Sequence, residues 1–162
     1  MRNIASWLDE YGQSHRHPAN KAIHWVCVPL IMLALIGLLW TIPTPAAWTT
    51  RSPLINWGVF GVLLMLAYDY MLSWRLALGM TLVACIMVGL VYAVSRLSVP
   101  IGGLAAGVFV AAWVGQFIGH GIEGRKPAFL RDLQFLLIGP LWLLAFVYRL
   151  AALPIDREPS HP

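Results

Sequence analysis

The chain has little charge. Of its 162 residues only 11% are Asp, Glu, Lys or Arg, under half the roughly 25% carried by a soluble globular domain, so a surface wetted on all sides is excluded. Cysteine is nearly missing too. Cys27 and Cys85 fall in separate apolar stretches, which rules out a disulfide scaffold or a CxxC motif and leaves two small hydrophobic side chains. A zinc hydrolase is conceivable, but no HExxH stretch occurs and no nucleophile motif stands out. Basic residues outnumber acidic ones, 11 to 7, yet they are scattered among short polar gaps. Nucleic-acid binding is therefore not expected.

What fills the chain is apolar: 59% hydrophobic residues and a mean hydropathy of +0.72. Five runs, roughly 23–42, 54–73, 76–95, 100–119 and 133–152, approach the ~20 residues needed to cross a bilayer core. The expected fold is an all-α polytopic membrane helix bundle, with about five spanning helices in one domain covering 1–162. Ahead of the first run, Ile4, Trp7, Leu8 and Tyr11 recur at i, i+3, i+4 and i+7, opposite Asp9 and Glu10. That pattern predicts an amphipathic helix lying in the membrane interface. Residues 1–22 thus read as an interfacial helix and a histidine-bearing loop, 23–152 as the bundle, and 153–162 as a tail in which His161 has no role. The first run lacks a small-residue cleavage site and reads as an anchored helix. Seven basic residues on the N-terminal side of the bundle against four opposite place the N-terminus in the cytoplasm, across an inner membrane of bacterial type.

Against this background the histidines stand out, because ionisable groups at a membrane boundary are costly and point to function. His15, His17 and His24 crowd the entrance to the first run, and His120 ends the fourth. Alternating spans bring the start of the first, the end of the second and the end of the fourth to one face. His15, His17, His24, Asp69, Gln116, His120 and Glu123 then share a side. Asn20 and His24 are one turn apart, as are Gln116, His120 and Glu123. His15 lies half a turn out of phase with His24 and must fold back from the loop before Pro18, which suits the first turn of a helix. Pro29 is expected to kink the first span and to free the Trp25 carbonyl.

These residues predict a three-histidine metal cluster with Glu123 or Asp69 as a carboxylate ligand, a donor set suited to iron or zinc. Asn20 and Gln116 are placed to orient the ligands. Plainer roles exist for some of them: His17 as a solvated loop residue, Asp69 paired with Arg75, Glu123 paired with Arg125 or Lys126. The eight tryptophans read mostly as interface anchors. Gly103, Gly107, Ala111, Gly115 and Gly119 repeat every four residues, a stripe that permits close helix packing inside the chain or between copies in an oligomer.

The pattern Tyr11-x3-His15-x4-Asn20-x3-His24-x4-Pro29, followed by Gln116-x3-His120-x2-Glu123-x3-Pro127-Ala128 and by Gly139-Pro140, resembles the 2-hydroxy fatty acid dioxygenase family over essentially the whole chain. The resemblance implies an integral membrane enzyme using Fe(II) and O2 to shorten a 2-hydroxy fatty acid by one carbon, with membrane lipids around it. It implies that His15, His24 and His120 are the catalytic metal-holding residues. On that reading Arg125 or Lys126 steers the substrate carboxylate. A haem-binding electron-transfer protein and a non-catalytic membrane scaffold or transporter are the competing readings. The dioxygenase reading accounts for both distant histidine clusters together.

Overall fold

Seven helices and no strand make up the described part of the chain, residues 3–126 and 134–155, in a computed structural model. They are α1 (Ile4–Gln13), α2 (Pro18–Trp40), α3 (Ala46–Thr49), α4 (Trp57–Leu72), α5 (Trp74–Ser95), α6 (Ile101–Glu123) and α7 (Phe135–Leu150). Several boundaries are written locally. Asn3, Asn56 and Ser73 accept backbone N–H groups of the first turns of α1, α4 and α5, the usual task of an N-cap. His17 does the same for α2 through Nδ1, with Pro18 at the first helical position. Gly124, at φ +69°, ends α6 in the left-handed conformation that glycine adopts without penalty. Pro127, Ala128, Arg131 and His161 lie outside the described residues.

The helical membrane bundle stands, with three long spans and two shorter apolar helices. Only α2, α5 and α6, at 22 or 23 residues, are long and apolar enough to cross a membrane among the described residues. Helices α4 and α7 have 16 residues each, ~24 Å at 1.5 Å per residue against a ~30 Å hydrocarbon core. Apolar character runs past the helix ends: Leu54 and Ile55 precede the Asn56 cap, and Ala151 and Ala152 follow α7, Ala152 at φ +53°. Hydropathy counts such residues, whereas a helix does not contain them.

Helix α2 is the axis of the bundle. Helix α6 packs along it, and α4, α5 and α7 also lean on it. The expected apolar face of α1 is real, but it is not left to the bilayer. Ile4, Trp7, Leu8 and Tyr11 are buried in one cluster with Leu76, Met80, Phe135, Ile138 and Leu141, and Trp7 meets Phe135 edge to face at 5.2 Å. A face that fits a helical neighbour gains close packing that a fluid lipid tail does not supply. Helices α2 and α7 continue through Pro29 and Pro140.

The small-residue stripe divides in two. A Cβ at Gly115 would stand 2.6 Å from Cys27 Sγ, and one at Gly119 would run into Asn20 Oδ1. At these two glycines α6 approaches α2 closely. Gly103 and Gly107 have nothing within 4 Å, and Ala111 is exposed. A spacing of four drifts ~40° per step on a 3.6-residue helix, which turns the stripe from the outer face toward α2.

Candidate metal centre

Three histidine rings meet where α1 ends, α2 begins and α6 ends. His15, His24 and His120 are buried, at 1%, 1% and 5% exposure, and each offers a ligand atom within 4.8 Å of the others. The His15 ring lies 4.2 Å from that of His24 and 5.0 Å from that of His120, centroid to centroid. Two of the rings are aimed by the same local device. His15 Nδ1 donates to the Tyr11 carbonyl at 2.6 Å, and His24 Nδ1 donates to the Asn20 carbonyl at 2.9 Å, each four residues back.

These bonds settle the tautomers. A carbonyl oxygen only accepts, so both Nδ1 atoms carry the proton and both Nε2 atoms present a bare lone pair. Yet the two Nε2 atoms face each other at 2.9 Å. Two lone pairs at that distance repel unless positive charge lies between them. A proton does not supply it near neutrality, because burial pushes the His15 imidazole down to about 4. A metal cation shared by the two would supply it. His120 Nδ1 is also buried with no hydrogen-bond partner among the described residues. A polar atom in that state is usually matched by an unseen ion or water.

Around the rings lies a supporting layer. Tyr11 stacks on His15 at 4.1 Å with 12° between planes, and burial holds its phenol well above the usual range, so it remains neutral. Trp142 closes on His15 at 5.4 Å. Asn20, fully buried, donates from Nδ2 to the Ser14 carbonyl and to Glu123 Oε2 at 3.1 Å. Nothing in an apolar run marks Trp142 or Trp113 as different from the other tryptophans, so sequence reasoning left both among the interface anchors.

Glu123 does not join the ligand group. Its Oε1 accepts the Arg16 N–H and its Oε2 the His17 N–H, both at 2.8 Å. With the Asn20 bond, the carboxylate straps the His15 turn to the end of α6. Asp69 stays apart as well. It is buried on α4, its carbonyl accepts the Ser73 N–H, and its Oδ1 has no hydrogen-bond partner among the described residues. Neither carboxylate therefore completes the cluster. His17 is exposed and serves as the α2 cap. Arg125 and Lys126 are exposed on the turn after α6, where the Arg125 N–H bonds the His120 carbonyl.

A cleft opens beside the rings. Its polar lining includes His24, His120 and Gln116, and its apolar lining includes Val28, Ile31, Met32, Trp113, Phe135 and Leu136. Gln116, one turn before His120, is in its wall, whereas Arg125 and Lys126 are not among the lining residues.

No solved structure matches the chain. It is similar to the 2-hydroxy-palmitic acid dioxygenase MPO1 of Saccharomyces cerevisiae, 26% identical over 158 residues, which covers 95% of this chain and 85% of that protein. The model of the 2-hydroxy-palmitic acid dioxygenase Mpo1-like family matches residues 1–150, and the chain belongs to that family.

Proposed function

We propose that the protein is an Fe(II)-dependent membrane dioxygenase that converts a 2-hydroxy fatty acid to the acid one carbon shorter. The reaction balances without an external reductant: RCH(OH)COOH + O2 gives RCOOH + CO2 + H2O, and the substrate supplies all four electrons. The observation that carries the reading is the pair of bare Nε2 atoms of His15 and His24 facing each other at 2.9 Å. Family membership and the name of the yeast relative support the substrate class.

His15 and His24 would hold the metal through Nε2, with His120 as the third ligand. Iron, when bound, supplies the redox chemistry that lets O2 react with a closed-shell acid. The protein does the rest. The Tyr11 and Asn20 carbonyls fix the ring tautomers, and Glu123 fixes the turn that carries His15. Gln116 meets the 2-hydroxy-carboxylate head from the cleft wall. Val28, Trp113 and Phe135 exclude bulk water. Arg125 and Lys126, on the exposed turn, attract the carboxylate toward the entrance by long-range charge.

The test is metal content together with turnover. Protein purified anaerobically is expected to hold iron at about one atom per chain and to convert 2-hydroxypalmitate to the C15 acid. His24→Ala and His120→Ala are each expected to lower turnover at least ~100-fold, the cost typical of a lost ligand or its support. Full turnover by His120→Ala in the presence of Fe(II), or no metal above background in the parent, would overturn the proposal.

A further inference from the structure

The cleft beside the histidines changes character along its length. Near the rings it is walled by His24, His120 and Gln116, and seven residues further along α2, ~10 Å at 1.5 Å per residue, it is walled by Ile31, Met32 and Leu136. A site that is polar at one end and apolar at the other matches a single-chain amphiphile in one orientation.

The packing around it is lopsided. Helix α6 lies along α2, while α7 packs on α1, α5 and α2, and α6 has no comparable packing on α7. Trp113, Gln116 and His120 of α6 and Phe135 and Leu136 of α7 line the cleft, so among the described residues it lies between these two helices. Its rim there is apolar: Leu136 is 41% exposed, and Phe117, on the next turn of α6 after Trp113, is 53% exposed. On a chain whose α2, α5 and α6 are long enough to span a bilayer, an apolar rim in this position faces lipid tails rather than water.

From this we infer that the gap between α6 and α7 is a lateral entrance through which a fatty acyl chain passes from the bilayer, and that Val28, Ile31 and Met32 form the floor on which its first methylenes lie. The inference rests on the dioxygenase reading for the identity of the head group. The observations for the acyl site itself are the polarity gradient and the sparse α6–α7 packing among the described residues. Loss of water from the methylenes drives binding, and the fixed distance from floor to rings places the 2-hydroxy-carboxylate at the histidines. Substrate selection would thus be made by the part of the chain nearest the head, with the distal part left among bilayer tails.

The experiment uses the full chain in lipid nanodiscs and a 2-hydroxy fatty acid bearing a diazirine on an early methylene. Photolabelling is expected to concentrate on residues 28–32, 113 and 136. It should be displaced by excess 2-hydroxypalmitate but not by hexadecane, and it should be lost in Ile31→Trp. Labels spread evenly over outward-facing residues such as Leu82 and Ile86, or unchanged labelling of Ile31→Trp, would overturn the entrance. This readout needs no turnover, so it stands apart from failure of the catalytic proposal. Where turnover is measured, Ile31→Trp is expected to lower kcat/KM for 2-hydroxypalmitate about tenfold or more, as overfilling an apolar pocket does. Iron content should be unchanged. Turnover of 2-hydroxypalmitate equal to the parent's would also overturn the assignment. Ile31→Ala, which removes bulk without threatening the fold, should retain labelling.

Discussion

At the scale of the residue, Glu123 separates what a sequence conveys from what it cannot. A carboxylate three residues after a histidine is equally well placed to bind metal or to accept amide protons. The choice depends on where the amides of Arg16 and His17 point, more than a hundred positions away, and nothing in local spacing encodes that. The histidines were legible because each interrupts or borders an apolar run. The tautomers of His15 and His24 were not, since they depend on carbonyls that become available only once the helices have formed. Glu123→Gln tests the strap. The amide keeps one acceptor but turns N–H groups toward backbone N–H groups, and bonds to a charged acceptor are worth roughly 1.5–3 kcal/mol each when lost. Iron retained after dialysis is expected to fall about tenfold, a loss typical of a supporting partner, and the melting temperature should drop. Iron binding equal to the parent would show that the turn holds itself.

At the scale of the element, the outcome depended on what hydropathy measures. The three long helices were readable, as was the amphipathic face of α1. The docking of α1 on α7 was not, because a lipid tail and a helix flank demand the same apolar residues. Likewise the glycine stripe announces close packing without saying with what. Its two halves make opposite predictions. Gly119→Ala drives a methyl group into Asn20 and is expected to destabilise by roughly 1–3 kcal/mol, the range for overpacking, with loss of the Asn20–Glu123 contact. Gly107→Ala meets nothing within 4 Å and should stabilise α6 by roughly 0.5–1 kcal/mol through helix propensity alone. Thermal unfolding of both variants in one detergent compares them directly. If Gly107→Ala destabilises instead, the outer half of the stripe carries a contact with a second copy.

At the scale of the whole molecule, the three histidines draw together distant parts of the chain. His15 and His24 come from the entrance of the chain and His120 from near its last third, so a metal held by all three would close a long loop and restrict the less ordered states. Removing the metal with a chelator is expected to raise amide exchange in α1 and the first turns of α2, while α5 and the α4–α5 turn keep their protection. Hydrogen–deuterium exchange with and without chelator reads this out, and uniform loosening would count against a local staple. Two elements also leave the bundle uneven in height. With α4 and α7 at 16 residues beside helices of 22 and 23, the lipid along those two flanks has to thin by several ångströms or leave apolar side chains wet, each at a fraction of a kcal/mol per Å. The protein thus presents a different thickness to the bilayer on different sides. Bilayer composition, and not only the substrate dissolved in it, becomes part of what sets the height at which α7 stands beside the three rings.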